Sequence, residues 1–311
     1  MVLFFTLPPN SLDYPYILIN ANRPRDGLNY IMAHRKAVEI VIIDAGVEIF
    51  RNRTVKEYPG GPESWIRRLV RLYDSVRRIV PHAKIYVTCP DYPDDYHPRN
   101  LWLSDRETNI ERTIYNVLKC VDWYGDVRWL IPVQGWNRVP SSLLISLEYL
   151  EQLGVLKRYE YLAVANLCVE PSKRIIKHAV QYVHHWLHDH GYSDKKIHIF
   201  GVKISVLDII AKYATSVDNL GYTKPVSQRL HDVFPWSCKS EDERELFFCE
   251  YMIQLAMKGV PIPITVFEQC VDRVLRMLDS LVRRYPSKRN VIADLINAVL
   301  SDLGKILGYV K

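Results

Sequence analysis

The stretch VEIVIID, residues 38–44, is a short apolar run that stops on a carboxylate. Six other runs in the first 220 residues end in a similar way, on a polar residue or glycine. They are YILIN (16–20), KIYVTCPD (84–91), VRWLIPVQG (127–135), YLAVAN (161–166), KIHIFGVK (196–203) and SVDN (216–219). An eighth, VLFFTL (2–7), opens the chain. Such runs are rich in Val, Ile and Tyr and apolar on both faces, as parallel strands covered by helices must be. Eight buried strands alternating with helical stretches predict a (β/α)8 TIM barrel. The chemistry of that fold sits at the C-terminal ends of the strands. The run ends near Asn20, Asp44, Asp91, Gln134, Asn166, Gly201 and Asp218 are therefore the candidate functional positions.

The intervening stretches carry helical periodicity. Residues 62–80 place Ile66, Leu69, Val70, Tyr73 and Val76 on one face, with Arg67, Arg68, Arg71 and Arg78 mostly opposite. Residues 109–121, 140–153 and 172–191 repeat the pattern, and Gly191 marks a stop. A shorter helix is expected over 206–213. Residues 221–242, with Pro225, Pro235 and Trp236, read as irregular. Three further helices follow, over 243–258, 265–285 and 288–307. Thr265 and Glu268 have capping-box spacing, and Pro286 separates the last two. The expected organisation is a catalytic barrel over 1–240 and C-terminal helices packed on it over 241–311.

A chain of 311 residues suffices for one large barrel, and no apolar stretch is long enough to span a bilayer, so no membrane partner is expected. The opening MVLFFTLPPN lacks a charged leader and reads as a strand rather than a signal peptide. The cysteines (Cys89, Cys120, Cys168, Cys238, Cys249, Cys270) lack the close spacing of a disulfide framework, which favours a reducing, cytoplasmic setting. A net charge of +6 is a mild bias toward a polyanionic partner. Basic groups on 62–80 and at Arg273, Arg276, Arg283, Arg284, Lys288 and Arg289 could track a phosphate backbone or simply face solvent. His178, His184, His185, His188 and His190 share one helix; without a third ligand or a metalloprotease glutamate they read as a solvated face.

Asp44, Asp91 and Asp218 each close a strand run, where a carboxylate must be paired, hydrogen-bonded or kept for a ligand. A single one reads more readily as a helix cap or turn residue. Three on one rim, beside Gln134 and Asn166, suit glycosyl transfer: one carboxylate attacks or stabilises an anomeric carbon and a second moves protons. Amide and carboxylate groups could read the edge of a base, and Trp136, Tyr222 or Tyr92 could stack on one.

In order, IIDAGVEIF, CPD, PVQGW, YLAVANLCVE, IHIFGVKISVLDII and SVDN resemble the motifs of the tRNA-guanine transglycosylases, over roughly residues 38–224. The resemblance implies that Asp218 is the nucleophile that attacks C1′ and displaces the base. Asp44 would do acid/base work or position the ribose. Asp91 would recognise the N1 and 2-amino edge of a guanine-like base, and Gln134 with Gly135 its carbonyl. The backbone of Ala165, Asn166 and Leu167 would stand where the family has a Gly-Gly-Leu turn. Phe200 and Gly201 would open the loop after the seventh strand. The implied partners are nucleic acid, as DNA or tRNA, and a 7-deazaguanine-type base. The oligomeric state is left open, a homodimer included.

The chain also departs from that family. Asp44-Ala45-Gly46-Val47-Glu48-Ile49 replaces Asp-Ser-Gly-Gly-Phe-Gln, Asn166 replaces a glycine, and Asn219 follows Asp218 in place of an apolar residue. The family's zinc motif is missing, since Cys238 and Cys249 lack its spacing, so no structural zinc and no cofactor are expected. The missing zinc region favours the DNA-modifying relatives over the tRNA enzymes. Two other functions remain open on these residues. One is a catalytically silent barrel that binds nucleic acid or protein; the other is a barrel hydrolase acting on a free nucleoside or sugar through Asp44 and Asp218.

Overall fold

The computed structural model describes residues 2–308 except 53, 99–106, 169 and 220. Eight parallel strands lie among them: β1 (Leu3–Phe5), β2 (Tyr16–Asn20), β3 (Ile40–Asp44), β4 (Lys84–Thr88), β5 (Trp129–Val133), β6 (Tyr161–Val164), β7 (Lys196–Ile199) and β8 (Ser216–Asp218). Each pairs with its neighbours in chain order, and β8 pairs with β1. Thr6 closes the ring onto β2: its amide donates to the Tyr16 carbonyl (3.3 Å), and the Leu18 amide donates to the Thr6 carbonyl (2.9 Å). The fold is a TIM barrel, with α1 (Pro24–Ala33), α2 (Gly61–Ile79), α3 (Asn109–Trp123), α4 (Leu143–Gln152), α5 (Val155–Arg158), α6 (Lys173–Asp189) and α7 (Leu207–Ile210) between the strands.

Alternation along the strands decides what fills the barrel. Phe5, Leu18, Ile42, Tyr86, Leu130, Tyr161, Ala163 and Phe200 pack as one buried cluster, with Leu3, Tyr16, Ile40 and Cys168 against it. On β2 and β3 the same parity carries two residues beyond Leu18 and Ile42 to Asn20 and Asp44, which are register partners. Strand β8 likewise brings Asp218 level with Phe5 on β1.

The helices follow their apolar faces. Helix α2 buries Trp65, Ile66, Leu69, Leu72 and Val76. Helix α3 begins in a capping box formed by Thr108 and Glu111, and Ser172 caps α6. Gly191 ends α6 with φ +79°, which Gly adopts without a Cβ penalty. His178, His185, His188 and His190 are exposed on α6, and His184 is half-buried, as a solvated face requires.

The chain divides into two compact units. One is the barrel, residues 2–6 and 16–218; the other joins 7–15 to 219–308. The division falls at 218/219, whereas the sequence pattern suggested 240/241. The second unit contains α8 (Gln228–Val233), α9 (Glu241–Met257), α10 (Ile264–Arg284) and α11 (Arg289–Ile306). The segment expected to be irregular therefore includes a short helix, capped by Ser227. Arg229 on α8 grips the buried Glu250 of α9 at 3.0 and 2.5 Å and Asp302 of α11 at 2.7 Å. A planar guanidinium suits this two-sided contact.

Two expectations fail in this unit. Thr265 is not a cap: α10 starts at Ile264 behind an extended Pro263, which offers no side-chain acceptor, so Thr265 falls inside the first turn. Cys249 and Cys270 form a disulfide. Residues 21 apart in sequence look unrelated until α9 and α10 fold back on each other and bring their Cα atoms to 5.6 Å. Cys89, Cys120, Cys168 and Cys238 are unbridged. Among the described residues, no helix is long and apolar enough to cross a membrane.

Candidate active site

The strand ends bring a group of carboxylates together. Asp218 is buried at the end of β8, and its Oδ1 accepts two hydrogen bonds: from the Gly201 amide at 2.9 Å and from His198 Nε2 at 3.2 Å. Gly201 has φ +64°, and a Cβ there would lie 2.8 Å from Cys168 Sγ and 3.0 Å from Cys168 Cα. Its lack of a side chain therefore lets the loop after β7 pass close against Cys168. Phe200 is buried inside the barrel, its ring centroid 4.6 Å from that of His198.

Asp44 receives the Asn20 Nδ2–H at 3.2 Å, and the turn after it is tightly built. Gly46 takes φ +83° where any Cβ would strike Asn22, whose Nδ2 donates to the Gly46 carbonyl at 2.6 Å. Trp65 Nε1 donates to the Ala45 carbonyl at 2.9 Å, anchoring the turn to α2. Burial lifts the Asp44 pKa well above the carboxylate range, and repulsion from Glu48, Asp218 and Asp91 adds to the shift. The Gly46 amide opposes it. Asp44 thus holds its proton more tightly than an ordinary aspartate.

Asp91 lies three residues beyond β4, buried, with its carbonyl held by Tyr58 Oη at 2.8 Å. Asn116 Nδ2 donates to the Pro90 carbonyl at 3.0 Å, and Thr113 Oγ1 accepts the Tyr92 amide at 3.0 Å, so α3 fixes the loop. Burial pushes the Asp91 pKa up to about 7, with Asp95 contributing, against the pull of its own backbone amide. The Cys168 thiol is raised by burial and then by Asp218, Asp95, Asp44 and Asp91, which places it among the same carboxylates.

The amides form a different kind of group. Gln134, fully buried just past β5, donates from Nε2 to Asn166 Oδ1 at 2.7 Å and to the Gly135 carbonyl at 3.2 Å. Asn166 takes φ +61°, which asparagine tolerates better than most residues, and its Nδ2 also bonds the Gly135 carbonyl. Its Oδ1 accepts the Asp94 amide at 2.9 Å. Asp94 in turn accepts from Asn109 Nδ2 (2.9 Å) and the Asn137 amide (2.6 Å). Gln134 Oε1 is buried without a hydrogen bond from any described residue. Ala165 and Leu167 flank Asn166 and are buried. Gly135 leaves room for Ser142 and Leu143, each 3.0 Å from where its Cβ would be.

The aromatic candidates behave differently. Trp136 is half-buried, with its amide donated to Ser142 Oγ at 2.7 Å. Tyr92 and Tyr222 do not offer free faces to a base. Tyr92 is buried against Glu57 with the Arg112 guanidinium 3.5 Å from its ring centroid, and Tyr222 is buried with its hydroxyl on the Leu7 carbonyl. Several basic candidates are also engaged within their own units: Arg68 with the Ala21 carbonyl, Arg273 with Ser11, and Arg276 with Asp272.

Sequence reasoning missed His198, Asp94 and Glu48. His198 carried a usable signal, since it lies on β7 two residues before Phe200, which directly follows the strand, and so shares its inward face.

No known protein-family profile matches the chain, and no curated protein sequence does. Among solved structures it is similar to the fructose-bisphosphate aldolase of Campylobacter jejuni, at 10% identity and a TM-score of 0.37, covering 94% of this chain and 90% of that one. It is also similar to the carboxyl transferase domain of Rhizobium etli pyruvate carboxylase, at 9% identity and a TM-score of 0.30, covering 97% of this chain and 61% of that one. Likenesses this distant say nothing about chemistry.

Proposed function

We propose that the chain is a base-exchange glycosyltransferase, a pentosyltransferase similar to the tRNA/DNA-guanine transglycosylases, that replaces guanine in a polynucleotide with a 7-deazaguanine-type base. The observation that carries this reading is the pairing at the rim of a hydrogen-bonded carboxylate, Asp218, with a second carboxyl, Asp44, whose proton is held tightly. Two carboxyl groups with divergent environments are what acid-assisted glycosyl displacement needs.

In the first step an Asp218 oxygen forms a bond to C1′ while the C1′–N bond breaks. The electron pair leaves with the base, and the Asp44 carboxyl supplies the proton. In the second, a nitrogen of the incoming base attacks C1′, the ester bond breaks, its pair returns to the Asp218 carboxylate, and the proton released by the base goes to Asp44. Asp91, buried beside them with its pKa near 7, suits recognition of a base edge, since it changes protonation in the neutral range. DNA is the favoured polymer on the departure from the zinc motif, with tRNA the alternative.

The test is incorporation of a labelled 7-deazaguanine base into guanine-containing duplex DNA and into tRNA, with loss of guanine followed in parallel. Incorporation that vanishes in Asp218→Asn supports the reading. Absence of exchange in both polymers overturns it. A silent, binding-only barrel is favoured by one observation, the internal use of the Gln134 amide donor by Asn166 and Gly135. It predicts salt-dependent polynucleotide binding with no turnover.

A further inference from the structure

The polar groups behind Asp218 form a buried chain that runs across three strands. Tyr161 on β6 shares a hydrogen bond with Ser216 on β8. Ser216 Oγ lies 2.6 Å from His198 Nδ1 on β7, and His198 Nε2 lies 3.2 Å from Asp218 Oδ1. His198 is fully buried, and its ring is boxed by aromatic edges: Phe200 at 4.6 Å, Phe5 at 6.0 Å and Tyr161 at 6.4 Å between centroids. The imidazole therefore has little freedom to turn.

The donors and acceptors fix a direction. An ionised Asp218 can only accept, so Nε2 must carry a proton. In a neutral ring with Nε2–H donating, Nδ1 accepts the hydrogen bond of the Ser216 hydroxyl, and Ser216 Oγ in turn accepts from Tyr161. Both hydrogen bonds to Asp218, from His198 and Gly201, fall on Oδ1. Oδ2 receives none from the described residues.

We propose that His198 is the positioning residue for the nucleophile, holding Oδ1 so that Oδ2 is the oxygen that bonds C1′. This rests on the transglycosylase reading of the site. A carboxylate with both oxygens free rotates about its Cβ–Cγ bond, and fixing one oxygen keeps the other in line for attack. The bond formed is Oδ2–C1′ and the bond broken is C1′–N, with the pair leaving on the base and the proton supplied by Asp44. His198 exchanges no proton in the step.

Two measurements test this. The first is steady-state base exchange by wild type, His198→Gln and His198→Phe. Gln keeps a donor near the place of Nε2, and Phe fills the same space without one. His198→Phe should lower kcat about ten- to a hundredfold, the size of a hydrogen bond to a charged group, with KM for the polymer unchanged. His198→Gln should recover most of that loss. Equal kcat in wild type and His198→Phe would overturn the positioning role while leaving the transglycosylase reading intact. Absence of exchange in the wild type would overturn that reading and this proposal with it. The second is 15N NMR of histidine-labelled protein, which needs no turnover. The signal lost in His198→Gln should report a protonated Nε2, and a ring protonated on Nδ1 alone would overturn the proposal.

Discussion

The rim has two halves that handle polarity in opposite ways. On the β3 and β8 side, burial keeps the proton on Asp44, and repulsion from Glu48 and then Asp218 adds to it. On the β5 and β6 side, Gln134 donates to Asn166 and to the Gly135 carbonyl, and Asn166 donates to that same carbonyl. One half keeps a proton on a buried carboxyl that a reaction could use; in the other the amide donors are already engaged. Chemistry is therefore expected to fail most when the first half is altered, and stability when the second is.

Asp218→Asn is the hardest test of that contrast. It removes the nucleophile but keeps an oxygen to accept from Gly201, so exchange should fall by roughly 10⁴-fold or more with an unchanged circular dichroism spectrum. Retention of even a tenth of wild-type exchange would break the assignment. Asp44→Asn removes the acid and should lower kcat by about 10²–10⁴-fold. The defect should shrink when the departing base is a better leaving group, because such a base needs less protonation. A defect independent of the leaving group would move Asp44 from acid to ribose positioning.

Asp91 links the contrast to pH. Its carboxyl titrates near 7 in the folded chain and in the ordinary aspartate range once unfolded. Between those values the folded state binds a proton that the unfolded state has released, so stability is highest at the acid end and falls as pH rises toward 7. Above 7 the loss is complete. Asp91→Asn should therefore gain about 4 kcal/mol at pH 8 and almost nothing at pH 4, read from denaturant unfolding. Equal effects at the two pH values would sink this account.

The fold was legible because each strand is a continuous apolar run, and burial on both faces leaves that mark whatever the neighbours are. Asp44, Gln134 and Asp218 were legible for the same reason, as polar residues where an apolar run stops. What escaped depends on partners distant in sequence. His198 reads as a core residue within KIHIF until Ser216 and Asp218 come alongside it on β8. Asp94 looks like one acidic residue in the loop DYPDDY, and only the arrival of Asn109, Asn137 and Asn166 makes it a hub. The Cys249–Cys270 bridge needs the α9–α10 hairpin, and Thr265 lost its capping role to a single neighbouring proline.

Asn166 tests the closed half with the smallest effect. Asn166→Ala and Asn166→Gly both remove the acceptor for Gln134 Nε2 and for the Asp94 amide. Each should destabilise the barrel by about 1–3 kcal/mol through those unpaired groups. The two variants differ at φ +61°. There the left-handed penalty of roughly 1–2 kcal/mol on alanine outweighs the ~0.4–1 kcal/mol that glycine loses through its freer unfolded chain. Glycine should thus be the milder change by a few tenths to about 1 kcal/mol. Both release the Gln134 donor, so KM for a base bearing a carbonyl should fall even as stability falls. An unchanged KM in Asn166→Gly would mean that Gln134 faces no base, and the amide half would then be scaffold alone.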